Sequence, residues 1–196
     1  MEKGRENNLN KALLDRLKLT KERIEGMARG LREVAAQEDP IGEVPEMWKR
    51  PNGLQIGKIR VPLGVIGIIY EARPNVTVDV AGLCLKSGNT VILRGGSNAF
   101  NSNQILTNII QDGLVEAGLP KESVQLIPTT DRQAVDVLLS LNNHLDVLIP
   151  RGGEGLIQKV VNDSKVPVIE TGVGNCHVYV NKDADLTKAK KIVFNA

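Results

Sequence analysis

Aromatic side chains are scarce in this chain of 196 residues, which has one Trp, two Tyr and two Phe. Trp48, Tyr70, Phe100, Tyr179 and Phe194 lie far apart in the sequence, so they offer no row of stacking platforms for single-stranded nucleic acid. An excess of one charge is missing too: 25 Lys and Arg stand against 23 Asp and Glu, a formal net charge of +2. The basic residues do not cluster, and no nucleic-acid partner is expected. The two cysteines, Cys84 and Cys176, make neither a disulfide framework nor a metal-ligand spacing. His144 and His177 are isolated, so no metal site is expected. No apolar run reaches the length of a membrane span, and "MEKGRENNLN" opens charged, without the apolar core of a signal peptide. A soluble protein of a reducing cytoplasm, without a membrane partner, is the expectation.

What is present is periodic. Between Leu9 and Ala36, the residues Leu13, Leu17, Ile24, Met27, Leu31 and Val34 recur at spacings of three, four and seven, which predicts amphipathic helix. Thr20 is placed to cap a second helix, with Glu22 in its first turn. The apolar stripe must pack on something, either within the fold or on a neighbouring chain. "EDPIGEVPEMWKRPNGLQIGKIRVP" then breaks the helical period with four prolines, and its "PNG" between two short runs predicts a hairpin.

From Leu63 onward strands and helices alternate. "GVIGIIY", "TVILRGG", "SVQLIP", "LDVLIP", "VPVIE" and "CHVYV" read as strands. Helices are predicted over "NVTVDVAGLCLKSG", Asn101–Ala117, Asp131–Leu141, "GEGLIQKVVND" and from Asp185 towards Phe194. Gly88 and Gly118 stand where a left-handed residue ends a helix. Val/Ile/Leu-rich strands alternating with helices predict an α/β fold with a doubly wound parallel sheet, preceded by helices and a β-hairpin arm. The expected division is a helical segment over 1–38, the arm over 39–62 and an α/β domain over 63–196.

Ligands of such sheets gather outside the carboxyl ends of the strands. That selects the loops "EARPN", "RGGSN", "PRGGEG" and "ETGVGN", three of them rich in glycine. Backbone amides in such loops, with a helix amino terminus behind them, suit an anion. The glycines of any one loop serve equally well as tight strand-to-helix turns. Three such loops at one edge of the sheet favour a phosphate-bearing ligand, although none carries the G-x-G-x-x-G spacing.

The stretches "VPLGVIGIIYEARPNVTVDVAGLCLKSGNTVILRGGSNA", "LIPRGGEGLI" and "VPVIETGVGNCHVYV", with "ALLDRL" and "PNGLQIGKIRVPLG" before them, resemble the gamma-glutamyl phosphate reductases, a family within the aldehyde dehydrogenase superfamily. The resemblance runs from about Gly4 to the end of the chain. It implies NADPH-dependent reduction of L-glutamate 5-phosphate to glutamate 5-semialdehyde with release of phosphate, a step of proline biosynthesis. In that family a cysteine thiolate attacks the acyl phosphate, phosphate leaves, and the nicotinamide reduces the thioester, which splits one hard step into two easier ones. The resemblance also implies a homo-oligomer for the complete protein.

Carried onto this sequence, the family pattern implicates Arg94, Gly95, Gly96 and Ser97 at the adenosine end of NADPH, the Arg94 guanidinium suiting a 2′-phosphate. Arg151, Gly152 and Gly153 fall on the loop that approaches the pyrophosphate, and Thr171 and Gly172 follow in "ETGVGN". Arg151 could equally bridge to a carboxylate on a neighbouring loop. Glu170 matches the dehydrogenases' general base. An acyl-phosphate reductase has no water to activate, which leaves thiol activation, nicotinamide positioning or a buried structural carboxylate as readings of it. Ala72 stands where many dehydrogenases have an oxyanion-stabilising asparagine. Arg73 and Asn75 are candidates for the substrate's phosphate or carboxylate.

In the family the nucleophile lies in a stretch resembling "QRPSVCNA", downstream of the helix in "KKIVFNA". The resemblance therefore implies a nucleophilic cysteine beyond Ala196, and Cys84 and Cys176 are expected to be buried packing residues. The substrate domain is expected to be absent, the family's first helices missing, and the chain inactive alone. The alternative is a non-catalytic dinucleotide-binding or interaction module that pairs with a separate catalytic half. A third expectation is a fragment unable to fold, with an exposed sheet edge.

Overall fold

In the computed structural model the described residues are 11–71, 73–170, 174 and 176–195. Helices α1 (Lys11–Leu17) and α2 (Lys21–Ala36) come first. Thr20 Oγ1 accepts a hydrogen bond from the Arg23 amide at 3.3 Å, so the cap of α2 lies where the sequence places it. The Arg23 guanidinium ties the corner between the helices, donating to both Asp15 carboxylate oxygens at 2.9 and 3.1 Å and to the Lys18 carbonyl at 2.9 Å.

The hairpin forms as predicted. Strand β1 (Glu46–Lys49) pairs antiparallel with β2 (Gln55–Lys58), with Glu46 opposite Lys58. Gly53 turns at φ 88°, a left-handed value that glycine adopts without steric cost.

Four parallel strands make the sheet: β3 (Val65–Tyr70), β4 (Thr90–Gly95), β5 (Val124–Leu126) and β6 (Val147–Arg151), in the order β5-β4-β3-β6. Helices α3 (Pro74–Lys86), α4 (Phe100–Glu116), α5 (Gln133–Ser140) and α6 (Glu154–Asp163) alternate with them, and α7 spans Leu186–Asn195. Gly88 and Gly118, just past α3 and α4, have φ of 70° and 76°, the conformation that ends a helix.

Successive side chains of a strand point to opposite faces, and both faces of this sheet are covered. Ile66, Ile68 and Tyr70 of β3, with Val91 and Leu93 of β4, pack under Ala81 and Cys84 of α3 and Leu114 of α4. Ile69 points the other way, joining Leu148 of β6, Val135, Leu138 and Leu139 of α5 and Val160 of α6. The predicted α/β class and doubly covered parallel sheet are what the structure shows.

The apolar stripe of α2 packs mainly within the fold. Met27 is buried, and a Cβ on Gly82 of α3 would come within 2.5 Å of Leu31 Cδ2, so helix meets helix closely at that glycine. Lys86 Nζ adds a bond to the Ala35 carbonyl at 3.1 Å.

Two predicted strands differ. "VPVIE" makes one parallel bridge, Val168 to Leu148, with the Leu148 amide donating to Pro167 O at 2.8 Å and the Ile169 amide to Leu148 O at 2.9 Å. Pro167 has no N–H to extend the ladder. "CHVYV" forms no strand: the β6 edge is already taken by residues 167–169, and Tyr179 is 87% exposed. Cys176, expected to be buried, is exposed for the same reason.

Two substitutions probe this packing in urea unfolding. Leu93 is fully buried at the centre of β4, and Leu93→Ala is expected to cost about 2–5 kcal/mol. Gly113 lies inside α4 with nothing within 4 Å of its Cβ position, and Gly113→Ala is expected to stabilise by about 0.5–1 kcal/mol.

Candidate functional site

The strand order reverses between β3 and β6. The chain runs outward from β3 to β4 to β5, then crosses back to place β6 on the other side of β3. Helices following the two strands leave from opposite faces, so a crevice opens at their carboxyl ends, the position where such sheets bind ligands. A cavity of about 340 Å³ lies there, lined by Arg16 of α1, Glu71 and Arg73 after β3, and Arg151, Gly152 and Gly153 after β6.

Glu71 organises this crevice. It stands two residues beyond Ile69 and so points to the same face, towards the start of α6. Its Oε1 accepts a hydrogen bond from the Gly153 amide at 3.1 Å. Its own amide donates to Arg151 O at 3.2 Å, and its carbonyl accepts from the Gly96 amide at 3.1 Å. One residue thereby joins the loops after β3, β4 and β6. Sequence reasoning missed it; the signal available was its alternation with Ile69.

The glycines that read as anion cradles are, in the main, occupied by the protein. A Cβ on Gly152 would lie 2.8 Å from the Glu71 Cδ and Oε1 and 2.8 Å from Leu156 Cδ2. One on Gly96 would lie 3.0 Å from Glu71 O, and one on Gly95 would overlap Asn103 Nδ2. Gly153, at the amino cap of α6, has only Glu71 Oε1 near, at 3.7 Å. Ser97 is exposed and begins a short 3-10 turn before α4.

Arg94 is buried rather than displayed on the surface. Paired with Ile69 across the sheet, it shares that residue's face and reaches the segment ahead of α5. Its Nη1 donates to Gly95 O at 3.1 Å and its Nη2 to the carbonyls of Thr130 and Asp131, both at 3.0 Å. Its Nε–H is buried without a partner, an uncompensated donor of the kind that carries a cost. Burial, with the Arg132 charge adding to it, lowers the guanidinium's pKa, partly opposed by Asp131.

On the other face a buried chain of polar groups joins β3, α3 and α4. Tyr70 Oη and Thr77 Oγ1 are 2.7 Å apart, and Thr77 Oγ1 donates to Asn103 Oδ1 at 3.2 Å. Burial pushes the Tyr70 phenol up to about 12, partly offset by the Thr77 bond.

The remaining candidates are scattered. Asn75 Nδ2 donates to Asp79 Oδ2 at 3.0 Å within α3. Arg73, just before that helix, also borders a cavity of about 580 Å³ against α1 and α2. Glu170 is exposed, so its reading as a buried structural carboxylate falls away. Ala72, Thr171, Gly172 and Ala196 lie outside the described residues, and the expectation of a nucleophile beyond Ala196 falls outside them with it. His144 and His177 are both exposed. Among the described residues no three His, Cys, Asp or Glu side chains group as a metal site, and no helix is long and apolar enough to cross a membrane.

A parallel sheet sheathed on both faces, with glycine-rich loops and arginines near the point where the strand order reverses, defines a doubly wound α/β protein of the kind that places ligands at such a switch point. Residues 15–196 match the aldehyde dehydrogenase family, and the chain belongs to it. Membership of that family implies a nicotinamide cofactor. The chain is 70% identical over its whole length to gamma-glutamyl phosphate reductase of Halothermothrix orenii, covering 47% of that protein. It is 67% identical over 98% of its length to the Moorella thermoacetica reductase, covering 46% of it. The crystal structure of the Thermotoga maritima gamma-glutamyl phosphate reductase superposes with a TM-score of 0.89 at 49% identity, covering 99% of this chain and 47% of that one. The chain thus spans about half the length of the curated relatives it matches.

Cys84 and Cys176 differ in a way that thiol chemistry reads directly. Burial pushes the Cys84 thiol from 9.0 up to about 11, whereas Cys176 is exposed. A disulfide reagent at about pH 8 is expected to titrate Cys176 alone in the folded chain, and both after denaturation. Because the folded value of Cys84 is raised, its contribution to stability is complete below pH 9.0 and lost as pH climbs through about 11. Cys84→Ala should flatten that alkaline fall in urea unfolding.

Proposed function

We propose that this chain carries the cofactor-binding part of an NADPH-dependent reductase that converts L-glutamate 5-phosphate to glutamate 5-semialdehyde and releases phosphate. The observation that carries the reading is the meeting of the β3, β4 and β6 loops at the point where the strand order reverses. The identity to the reductases supports the substrate. On this reading residues 1–38 and 39–62 are a helical segment and an arm, and 63–196 bind the dinucleotide.

NADPH fits the residues present. The unpartnered Nε–H of Arg94 and the Arg132 charge beside it offer donors and positive charge to a 2′-phosphate. Arg94 also acts by position, fixing the 130–131 segment against β4 through two carbonyls. Gly153 and the amino end of α6 face the pyrophosphate, and Thr171 and Gly172 complete the site. When bound, the cofactor supplies the hydride. Arg73 and Asn75 face the anionic substrate, and Glu170 serves nicotinamide or thiol positioning. Neither cysteine is assigned as nucleophile: Cys84 is buried and held protonated, and Cys176 is outside the cavity at β3 and β6. The reductase in its complete form is a cytoplasmic homo-oligomer, with no nucleic-acid or membrane partner.

Fluorescence titration with NADPH and NADH tests this. The chain is expected to bind NADPH more tightly, and Arg94→Ala to reduce the preference roughly tenfold, the scale of one charge-assisted hydrogen bond. Unchanged discrimination in the variant removes Arg94 from the 2′-phosphate site. Turnover of glutamate 5-phosphate by the 196-residue chain itself would overturn the assignment of the cysteines.

A further inference from the structure

The amino end of α6 and the crevice beside it form a site for negative charge that already contains one. Glu71 Oε1 takes the Gly153 amide at 3.1 Å, and Gly153 is the residue that caps α6. The space over Gly152 is filled by the same carboxylate, which a Cβ there would meet at 2.8 Å. An anion is stabilised at a helix amino terminus by the unpaired amides and by the aligned peptide dipoles. Glu71 occupies that place without any ligand. Arg16, Arg73 and Arg151 line the same cavity as Glu71, so cationic residues lie close by to receive a displaced carboxylate.

We infer that Glu71 is a built-in competitor for this site. A dinucleotide's pyrophosphate enters by displacing the Glu71 carboxylate from the Gly153 amide, and the carboxylate swings to the arginines of the crevice. The inference rests on the cofactor reading proposed above. No bond is made or broken in the exchange: one anion replaces another at the α6 amides, and the displaced charge finds new cationic partners. Glu71 thereby sets the affinity of the site and selects for ligands with enough negative charge to displace it. An adenosine without phosphates gains nothing from the exchange.

Binding by the 196-residue chain and two variants decides the matter. Glu71→Gln keeps a side-chain oxygen for the Gly153 amide and removes the charge, and Glu71→Ala removes both. Isothermal titration with NADPH is expected to show about three- to tenfold tighter binding for both variants, the scale of a carboxylate's interaction with a helix terminus. Adenosine is expected to bind all three proteins alike, with thermal melts confirming that each is folded. Unchanged NADPH affinity in Glu71→Gln, or weaker binding in Glu71→Ala, would show that Glu71 is only a tie between loops and would overturn the inference alone. Equal tightening for adenosine would overturn it as well. If neither the parent chain nor either variant binds NADPH, the cofactor reading itself fails and this inference falls with it.

Discussion

The two-sided burial of β3 is the constraint from which the rest of the molecule follows. Ile66, Ile68 and Tyr70 lie under α3 and α4, whereas Ile69 is closed in by α5 and α6. A strand apolar on both faces is stable only between two helical layers, so the chain must send helices to both sides. It does so by crossing back after β5 to set β6 against β3. That return brings Glu71 and Gly153, 82 residues apart in sequence, to within hydrogen-bond distance. The crevice is thus a product of the topology that the core demands.

What the sequence announces, and what it leaves silent, follows the range of the interactions. Thr20, Gly53, Gly88 and Gly118 act through their own backbone or a neighbour three residues away, and their roles are legible in the string. The parallel strands are legible because a Val/Ile/Leu run buried on both faces has a recognisable composition. Glu71 is not, since its meaning depends on which strand lies beside β3. Arg94 reads as a ligand-facing arginine, and only the approach of Thr130 and Asp131 reveals that most of its donors are committed internally. "CHVYV" reads as a strand from its residue types, yet a strand is a relation between two segments, and the β6 edge is already engaged. Cys176 goes with it to the surface.

The glycines show how one residue type carries two readings at once. "RGGSN" and "PRGGEG" have the composition of anion-binding turns, and they stand where such turns belong. The structure fills the space over Gly95 with the Asn103 side chain, over Gly96 with the Glu71 backbone, and over Gly152 with the side chains of Glu71 and Leu156. These glycines permit close approach, as expected, but the groups that approach belong to the protein. Absence of a side chain in one loop is the condition for close approach of another segment, whether by its side chain or its backbone.

Tyr70, Thr77 and Asn103 form a line of hydroxyl and amide groups through an otherwise hydrocarbon layer. Apolar surfaces tolerate sliding, because one methyl group contacts another about as well as the next. A polar chain does not: moving α4 by one turn along α3 would leave the Thr77 hydroxyl and the Asn103 amide oxygen without the partners that offset their dehydration, beside an Asn103 Nδ2 that is already buried without one. The helix pair therefore has a single register, set by two side chains that never meet solvent. Through Gly95, which packs against Asn103, the same pin fixes the height at which β4 releases the chain into the loop before α4.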